Sequence, residues 1–222
     1  PNQAGNSRRH IIQEVEASLN RLRTDYIDLY QIHWWDPHTP IEETLSALND
    51  LIHQGKVRYI GCSNFNAWQV CEADWTAKTL GLSPFISTQP KYNLLDREIE
   101  LELLPLCYKY SIGVLPYYPL ANGFLTGKFK RGQSPIVGTR LEEDHRGMFT
   151  NENFDLIEKL TDFSLKRNHT LLELAFSWLL SDLSVASVIA GARNVHQVVS
   201  NAKAGDWILS DDDKNEITNL LN

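Results

Sequence analysis

The sequence predicts an α/β fold whose strands run parallel. Short runs rich in β-branched and aromatic residues alternate along the chain with amphipathic stretches at helical spacing. This alternation is typical of βαβ units, in which the connections are right-handed. The chain has 222 residues, 42% of them hydrophobic, which is enough to bury a sizeable core. We therefore expect a single domain spanning residues 1–222.

The predicted strands are short and the predicted helices fill the intervals between them. Strands are predicted at Tyr26–His33, Tyr59–Ser63, Phe85–Tyr92, Gly113–Leu120 and Ser184–Ala190. Helices are predicted at Arg8–Arg23, Ile41–Gln54, Ala67–Leu80, Ile99–Tyr110, Asn153–Arg167, Leu171–Ser181 and Val195–Ala204, with a short final helix in Leu209–Leu221. Pro40 at the start of the second helix and Gly55 after its end are typical of helix termini.

Parallel βα units occur either in an open doubly wound sheet or in a closed barrel. The GxGxxG pattern of dinucleotide-binding open sheets is absent from the sequence. Polar residues lie instead where the predicted strands end, and in (β/α) barrels this is where the functional residues lie. A closed barrel of this (β/α)8 TIM-barrel type needs eight strands, and only five are predicted here. We therefore expect an incomplete barrel, comprising about strands four to eight with their helices and a C-terminal helix.

Composition and charge limit the kinds of partner that we expect for this protein. The formal charge of −7 disfavours nucleic acid, whose binding proteins carry a basic face. No apolar run reaches the roughly 18 residues of a membrane span. The three cysteines show no CxxC spacing, so neither a disulfide framework nor a structural zinc site is indicated. We expect a cytoplasmic protein without a nucleic-acid or membrane partner.

His33 ends the predicted strand "YIDLYQIHWW" and is followed by two tryptophans and an aspartate. A single histidine at a strand end is more often a packing residue than a catalyst. Trp34, Trp35 and Asp36 would wall an aromatic pocket around it, which favours a functional role. The cluster of His33, Asp36 and His38 could also suggest a metal site, but its spacing matches no standard ligand motif, so no metal ligand is predicted.

Amides and hydroxyls follow the next two predicted strands. Ser63 and Asn64 in "GCSN" could bind an amide-bearing ligand, or Asn64 or Asn66 could cap the following helix. Gln89 lies in an apolar run, where a buried amide needs partners. Together these groups could bind a flat carboxamide. Tyr117, at the end of the fourth strand, could stack on such a ring or simply pack in the core.

Two later segments could bind phosphate. "GFLTGKFKRG" fails as a P-loop because the glycine spacing is one residue short and Phe129 replaces the required Ser or Thr. Lys128 and Arg140 could still bind a phosphate by charge, or could be solvated surface residues. "IAGARNVHQVVSNAKA" places Gly191 and Arg193 between a predicted strand and a helix start. The last loops of such barrels and the N-termini of helices favour phosphate, so this is the strongest prediction from the residues alone.

Taken together, these motifs resemble the aldo-keto reductase family. "LNRLRTDYIDLYQIHWWDPHTPIEETLSALNDLIHQGKVRYIGCSNF" is similar to the central signature of that family. "STQPKYNLLDR", "YYPLANGFLTGKF" and "VIAGARNVHQVVSNAKA" resemble its later blocks, in the same order. The resemblance covers essentially the whole chain. It is strongest to bacterial-type reductases, which also resemble potassium-channel beta subunits.

The resemblance implies a role for each matching residue. His33 would be catalytic, polarising the carbonyl of a small-molecule substrate. The remaining matches imply binding of NADP(H), with separate groups for the nicotinamide, the pyrophosphate and the adenosine 2′-phosphate end. In that order they are Ser63, Asn64, Gln89 and Tyr117; Leu120, Gly123, Lys128 and Arg140; and Gly191, Arg193 and Gln197, with Asn201 on the adenine.

The resemblance also implies a difficulty for catalysis. The general-acid tyrosine of the family, with its aspartate and lysine, lies on strands that would precede Pro1. Reduction of a carbonyl needs a proton donor, so we expect an intact parent protein to be active and this chain alone to be an inactive fragment. The expected reaction is NADPH-dependent reduction of aldehydes or ketones, or the reverse oxidation.

Three alternatives to an active monomeric reductase follow. One is a non-catalytic NADP(H)-binding regulatory subunit that resembles potassium-channel beta subunits. Another is a metal-dependent hydrolase using His33, Asp36 and His38. Exposed strand edges of an incomplete barrel would also favour association, because unpaired edges template pairing with another chain. An oligomer is therefore expected.

Overall fold

In the computed structural model of the chain, residues 4–143 and 147–221 are described. Their contacts divide the chain into two compact units. The first holds the chain up to Pro90 together with Ile99–Leu115, and the second holds Lys91–Glu98 and the chain from Pro116 onward. The single domain over residues 1–222 stays a prediction.

The first unit combines a parallel sheet with helices, as the alternation of patterns predicts. In chain order its elements are α1 (Arg8–Leu22), β1 (Ile27–Ile32), α2 (Ile41–His53), β2 (Val57–Ser63), α3 (Ala67–Leu80), β3 (Ser87–Gln89), α4 (Leu103–Tyr110) and β4 (Gly113–Val114). A short 3-10 turn at Glu98–Glu100 precedes α4. α1 buries Ile11, Val15 and Leu19 from the predicted apolar stripe, whereas Leu22 is 63% exposed.

The four strands are all parallel and lie in the order β1-β2-β3-β4. The register pairs Gln31 with Gly61, Gly61 with Ser87, and Ser63 with Gln89. Because side chains alternate between the two faces of a strand, these residues share one face of the sheet. The sheet therefore brings polar groups from β1, β2 and β3 together on that face.

The predicted strands are longer than the observed ones. Phe85–Tyr92 pairs as a strand only over Ser87–Gln89, and Gly113–Leu120 only over Gly113–Val114. The prediction of a fifth strand at Ser184–Ala190 is wrong for the described structure, where this segment contains no strand. Ile189 N–H does donate to Pro116 O at 3.0 Å, but Ile189 is 44% exposed. Val185 also takes part in an isolated bridge, but one bridge and one such bond do not make a ladder, in which successive residues pair along the strand.

Helices and one apolar core make up the second unit. A 3-10 turn at Ala121–Thr126 is followed by α5 (Arg140–Glu143), α6 (Asn151–Leu165), α7 (Leu171–Leu180), α8 (Val195–Lys203) and α9 (Asp211–Leu221). Buried side chains at helical spacing on α6 and α7, including Leu160 and Leu174, join Phe124, Leu125 and Ile217 in this core. Among the described residues, no helix is both long enough and apolar enough to cross a membrane.

Candidate cofactor and active site

Side chains at the ends of β2 and β3 form a hydrogen-bonded cluster. Ser63 Oγ donates to the backbone carbonyl of Gln89 at 2.6 Å and accepts from Asn64 Nδ2 at 3.1 Å. Asn64 N–H points at the same carbonyl at 3.4 Å. Asn64 has a φ of 57°, a left-handed conformation that asparagine tolerates better than most residues. The turn therefore holds Ser63, Asn64 and Gln89 together.

The N-cap of α3 is Asn66 and not Asn64. Asn66 is the N-cap, and its N–H donates to Gln69 Oε1 at 2.8 Å. Of the two asparagines that could cap this helix, Asn66 is thus the one that does. Asn64 instead donates from Nδ2 to the backbone carbonyl of His33 at 3.0 Å, and so links the end of β2 to the end of β1.

A glutamine on β1 joins the cluster through its side chain. Gln31 Nε2 donates to Gln89 Oε1 at 2.8 Å, although β2 lies between their two strands. Gly61 on β2 leaves room for this contact, because a Cβ there would lie 3.2 Å from Gln31 Oε1 and 2.5 Å from Ser87 Oγ. Gln31 is not among the predicted site residues. A period of two places it on the same face as His33, and that spacing could have identified it.

His33 is exposed at the end of β1, with its ring centroid 5.7 Å from that of Trp34. Trp34, Trp35 and Asp36 are expected to form a pocket around the His33 ring, and only part of that pocket is present. Trp35 turns its ring instead to Phe65, at a centroid distance of 5.3 Å. An exposed imidazole beside an exposed indole is consistent with contact to a ligand, and the catalytic role of His33 stays a prediction.

Asp36 belongs to a structural network. Its carboxylate accepts from Asn6 N–H at 2.9 Å, from His38 N–H at 2.9 Å and from Thr39 Oγ1 at 2.7 Å. The Asn6 N–H, followed by the donors at Thr39 and His38, lowers the pKa of Asp36 below its ordinary value, although burial opposes this. Within residues 4–143 and 147–221 there is no group of three His, Cys, Asp or Glu side chains that could hold a metal ion.

Tyr117 begins the second group of predicted residues, all in the second unit. It forms a parallel bridge with Lys91, and its ring centroid lies 5.1 Å from that of Tyr118. Burial raises the pKa of the Tyr117 phenol, although Lys91 opposes the shift. Tyr117 is therefore a neutral, half-buried ring near neutral pH, as a stacking platform requires.

The turn that follows Tyr117 adopts an unusual backbone. Leu120 O accepts from Gly123 N–H at 2.7 Å, and a Cβ at Gly123 would lie 3.2 Å from Lys128 Nζ. Positive φ angles occur at Tyr118, Ala121, Asn122 and Gly123. Left-handed non-glycine residues are costly and cluster at ligand-binding sites. Asn122 Oδ1 is buried without a hydrogen-bond partner among the described residues; as an acceptor it calls for a donor and does not itself favour an anion. A turn of this kind beside a lysine is suited to an anion.

The remaining predicted residues make local contacts. Arg140 begins α5, and its guanidinium lies 6.0 Å from the centroid of the Tyr118 ring. The Arg193 guanidinium donates to the backbone carbonyl of Gly138, and Arg193 N–H donates to Gln197 Oε1 at 2.7 Å. Asn201 Nδ2 donates to the carbonyl of Gly191 at 3.4 Å. Gly191, Arg193, Gln197 and Asn201 thus lie around the N-terminal part of α8.

Each unit by itself offers groups that fit part of a nicotinamide dinucleotide. In the first unit, Ser63, Asn64 and Gln89 offer the amide and hydroxyl groups that recognise a carboxamide. In the second, the turn beside Lys128 and the basic start of α8 at Arg193 suit phosphate groups. The structure gathers the predicted residues within each unit, and their roles stay predictions.

Comparison with known proteins decides the family. A model of the Aldo/keto reductase family matches residues 1–222. The chain belongs to this family. Its α/β fold with a parallel sheet and helices is consistent with the (β/α)8 barrel of aldo-keto reductases.

Relatives of the chain carry names of three kinds. It is 37% identical over 213 residues to a rice (Oryza sativa subsp. japonica) protein named "Probable voltage-gated potassium channel subunit beta", covering 94% of the chain and 65% of that protein. It is 34% identical over 220 residues to the aldo-keto reductase YhdN of Bacillus subtilis, covering 97% of the chain and 64% of that protein. A "Putative aryl-alcohol dehydrogenase" of Schizosaccharomyces pombe is 37% identical over 217 residues, covering 96% of the chain and 60% of that protein. The chain therefore spans somewhat less than two thirds of the length of these relatives.

Proposed function

We propose that the whole protein is an NADP(H)-dependent oxidoreductase that interconverts an aldehyde or ketone with the corresponding alcohol. The observation that carries the proposal is the cluster of Ser63, Asn64 and Gln89, joined to the end of β1 through the His33 carbonyl. It combines carboxamide-recognising groups with an imidazole at the carboxyl ends of adjacent parallel strands. Family membership supports oxidoreductase chemistry.

In this proposal the residues of the chain bind and orient the reactants. When bound, NADP(H) supplies or accepts the hydride. In the first unit, Ser63, Asn64 and Gln89 would hydrogen-bond the carboxamide. In the second, the resemblance to the family gives the neutral ring of Tyr117 the stacking role. His33 would donate a hydrogen bond to the oxygen of the substrate carbonyl, which stabilises the negative charge that develops there. The proton that completes the alcohol would come from a separate general acid.

Preference for NADP(H) over NAD(H) is proposed to depend on Arg193. A guanidinium at a helix start pairs well with a phosphate, because charge and helix dipole act in the same direction. In the structure Arg193 donates to Gly138 O, so phosphate binding would exchange a neutral acceptor for a charged one. Arg193→Gln should weaken NADPH binding roughly tenfold or more and leave NADH binding nearly unchanged. Equal losses for both dinucleotides would contradict this role.

Turnover of a panel of aliphatic and aromatic aldehydes by the whole protein, followed by NADPH absorbance, tests the reaction. His33→Gln should lower kcat/KM by about a hundredfold with little change in NADPH affinity. His38→Gln is the matched control, since both histidines are exposed in the same loop. If His33→Gln retains the wild-type kcat/KM, His33 is not catalytic. If no aldehyde or alcohol is turned over, the enzymatic proposal fails.

A second candidate function is a regulatory subunit that binds NADP(H) without turnover. The rice relative and an Arabidopsis thaliana relative that is 38% identical are both named as probable potassium channel beta subunits. Tight NADPH binding, measured by quenching of protein fluorescence, together with the absence of turnover would favour this function. Turnover at ordinary enzymatic rates would favour the reductase.

We also propose a cytoplasmic location and self-association. All three cysteines are free, as expected in a reducing compartment. Within the described sheet β1 is an edge strand, paired with β2 on one side, and such edges favour pairing with a second chain. Sedimentation of the purified protein tests the association, and a monomer at high concentration would contradict it.

A further inference from the structure

Lys91 and Tyr117 lie side by side in the second unit. They form an isolated parallel bridge, and Tyr92 N–H donates to Tyr117 O at 3.3 Å. Residues that pair directly on neighbouring extended segments carry their side chains on the same side. The Lys91 side chain therefore extends on the side of the Tyr117 ring.

A hydrogen-bonded turn holds the ammonium group of Lys91. Lys91 Nζ donates to Asp96 Oδ1 at 2.8 Å, and the other carboxylate oxygen of Asp96 accepts from Asn93 Nδ2 at 3.1 Å. Asn93 is fully buried, and its Oδ1 accepts from Asp96 N–H at 3.1 Å. Asn93 Nδ2 also donates to Tyr118 O at 3.0 Å. The carboxylate that anchors Lys91 is thus tied by a buried side chain to the residue next to Tyr117.

The charge of Lys91 acts on the Tyr117 ring. Burial raises the pKa of the Tyr117 phenol, and Lys91 lowers this pKa in opposition. Asp96 raises the same pKa, but its effect is smaller than that of Lys91. The two charges of the ion pair therefore do not cancel at the ring, where the positive one prevails.

A charge at this place distinguishes the two forms of a nicotinamide dinucleotide. The nicotinamide ring carries a positive charge in NADP⁺ and none in NADPH, whereas the phosphates of the two forms are the same. Proteins tune cofactors of this class partly through charges placed near the reactive ring. A positive side chain beside the ring disfavours the oxidised form, whereas a group that binds phosphate changes both affinities together.

We propose that Lys91 and Asp96 set the relative affinity of the protein for oxidised and reduced dinucleotide. Lys91 weakens the binding of NADP⁺ relative to that of NADPH, and Asp96 offsets part of this effect. The inference rests on the proposed NADP(H) function, in which Tyr117 stacks on the nicotinamide. Its consequence for the reaction is a protein that favours the cofactor form needed to reduce a carbonyl.

Dissociation constants of NADP⁺ and NADPH for the whole protein, measured by quenching of protein fluorescence, test the inference. Lys91→Met removes the positive charge and leaves Asp96, so the ratio of Kd for NADP⁺ to Kd for NADPH should fall. Because the Lys91 side chain is 45% exposed, solvent screens its charge, and the fall should be roughly two- to fivefold. Asp96→Asn removes the negative charge, and the same ratio should rise by a smaller factor. The double variant should lie between the two.

Two further variants separate charge from structure. Lys91→Arg keeps the positive charge, so it should keep the wild-type ratio even where it weakens both forms. Lys159→Met, on an exposed position of α6 in the same unit, removes an equal charge and is the matched control, with an unchanged ratio expected.

The ratio decides the inference because a merely structural role would weaken both forms together. If Lys91→Met and Asp96→Asn leave the ratio at its wild-type value, or shift it in the same direction, the inference is overturned while the NADP(H) function stands. If the wild type binds neither form, the NADP(H) function fails and the inference fails with it.

Discussion

Gly61→Ala should destabilise the first unit by steric conflict in the middle of its sheet. The new Cβ would lie 2.5 Å from Ser87 Oγ and 2.9 Å from the Ser87 backbone oxygen. Rotation of the Ser87 side chain can relieve the first contact. The second involves the main chain of the neighbouring strand, so it can be relieved only if β2 and β3 move apart.

Two opposing free energies set the size of the effect. An added methyl group in a well-packed interior typically costs about 1–3 kcal/mol, and the backbone contact favours the upper half of that range. Replacing glycine by alanine also restricts the unfolded chain, which stabilises the protein by about 0.4–1 kcal/mol where the native backbone permits it. The net loss in the free energy of unfolding should be about 1–2 kcal/mol.

Urea unfolding followed by circular dichroism measures this loss, with a lower midpoint and an unchanged slope expected. Gly147→Ala is the matched control, because nothing lies within 4 Å of its added Cβ. The double variant Gly61→Ala with Ser87→Ala should recover part of the stability, since it removes only the hydroxyl contact. If Gly61→Ala is as stable as Gly147→Ala, the close approach of Gln31 and Ser87 over Gly61 is not as described.

Three further outcomes are expected. Asp36→Asn should destabilise the protein by about 1 kcal/mol at pH 7. Because the folded-state pKa of Asp36 is lowered, its contribution is complete above the unfolded pKa and is lost as the pH falls through the folded value. In acid unfolding curves the stabilities of variant and wild type should therefore begin to converge below about pH 4 and meet only below the folded pKa. Thr170→Ala should cost about 1 kcal/mol in urea unfolding, because Thr170 Oγ1 accepts from Glu173 N–H at 3.2 Å as the cap of α7; an unchanged midpoint would contradict that role. Burial raises the pKa of the Cys62 thiol to about 12, so at pH 8 iodoacetamide should label Cys71 long before Cys62 in the folded protein, as mass spectrometry would show; equal rates would contradict the burial of Cys62.

Helices were predictable because local sequence contains most of what defines them. The predicted bounds of α3, Ala67–Leu80, are those observed. Asn66 supplies the N-cap, and Gly81 follows in the left-handed conformation with a φ of 66°. Both residues are local to the helix and their types are characteristic of these positions. No knowledge of tertiary packing is needed to place such ends.

Strand bounds were less predictable because a strand exists only where a partner pairs with it. Gly113–Leu120 has the composition of a strand throughout, yet it is a strand only over Gly113–Val114. Beyond Leu115 the chain turns, and Tyr118 adopts a φ of 55°, which no extended strand permits. The same limit explains Ser184–Ala190, which is apolar enough for a strand but contains none.

The candidate site follows from sequence at the level of residue types, but not of the contacts between them. Ser63, Asn64 and Gln89 could be grouped because each follows or ends a predicted strand. Gln31 lies two residues before His33, a spacing that places both on one face, but that spacing does not show which partner its amide reaches. That contact depends on register, which places Gln31 beside a glycine and lets it reach Gln89 two strands away. Register is a long-range property, because it is set by how whole strands pack and slips by one residue exchange the two faces. A useful pattern to look for is therefore a glutamine and a glycine on neighbouring predicted parallel strands, each two residues before a polar residue at the strand end. That pattern predicts a side chain that reaches across one strand to the next.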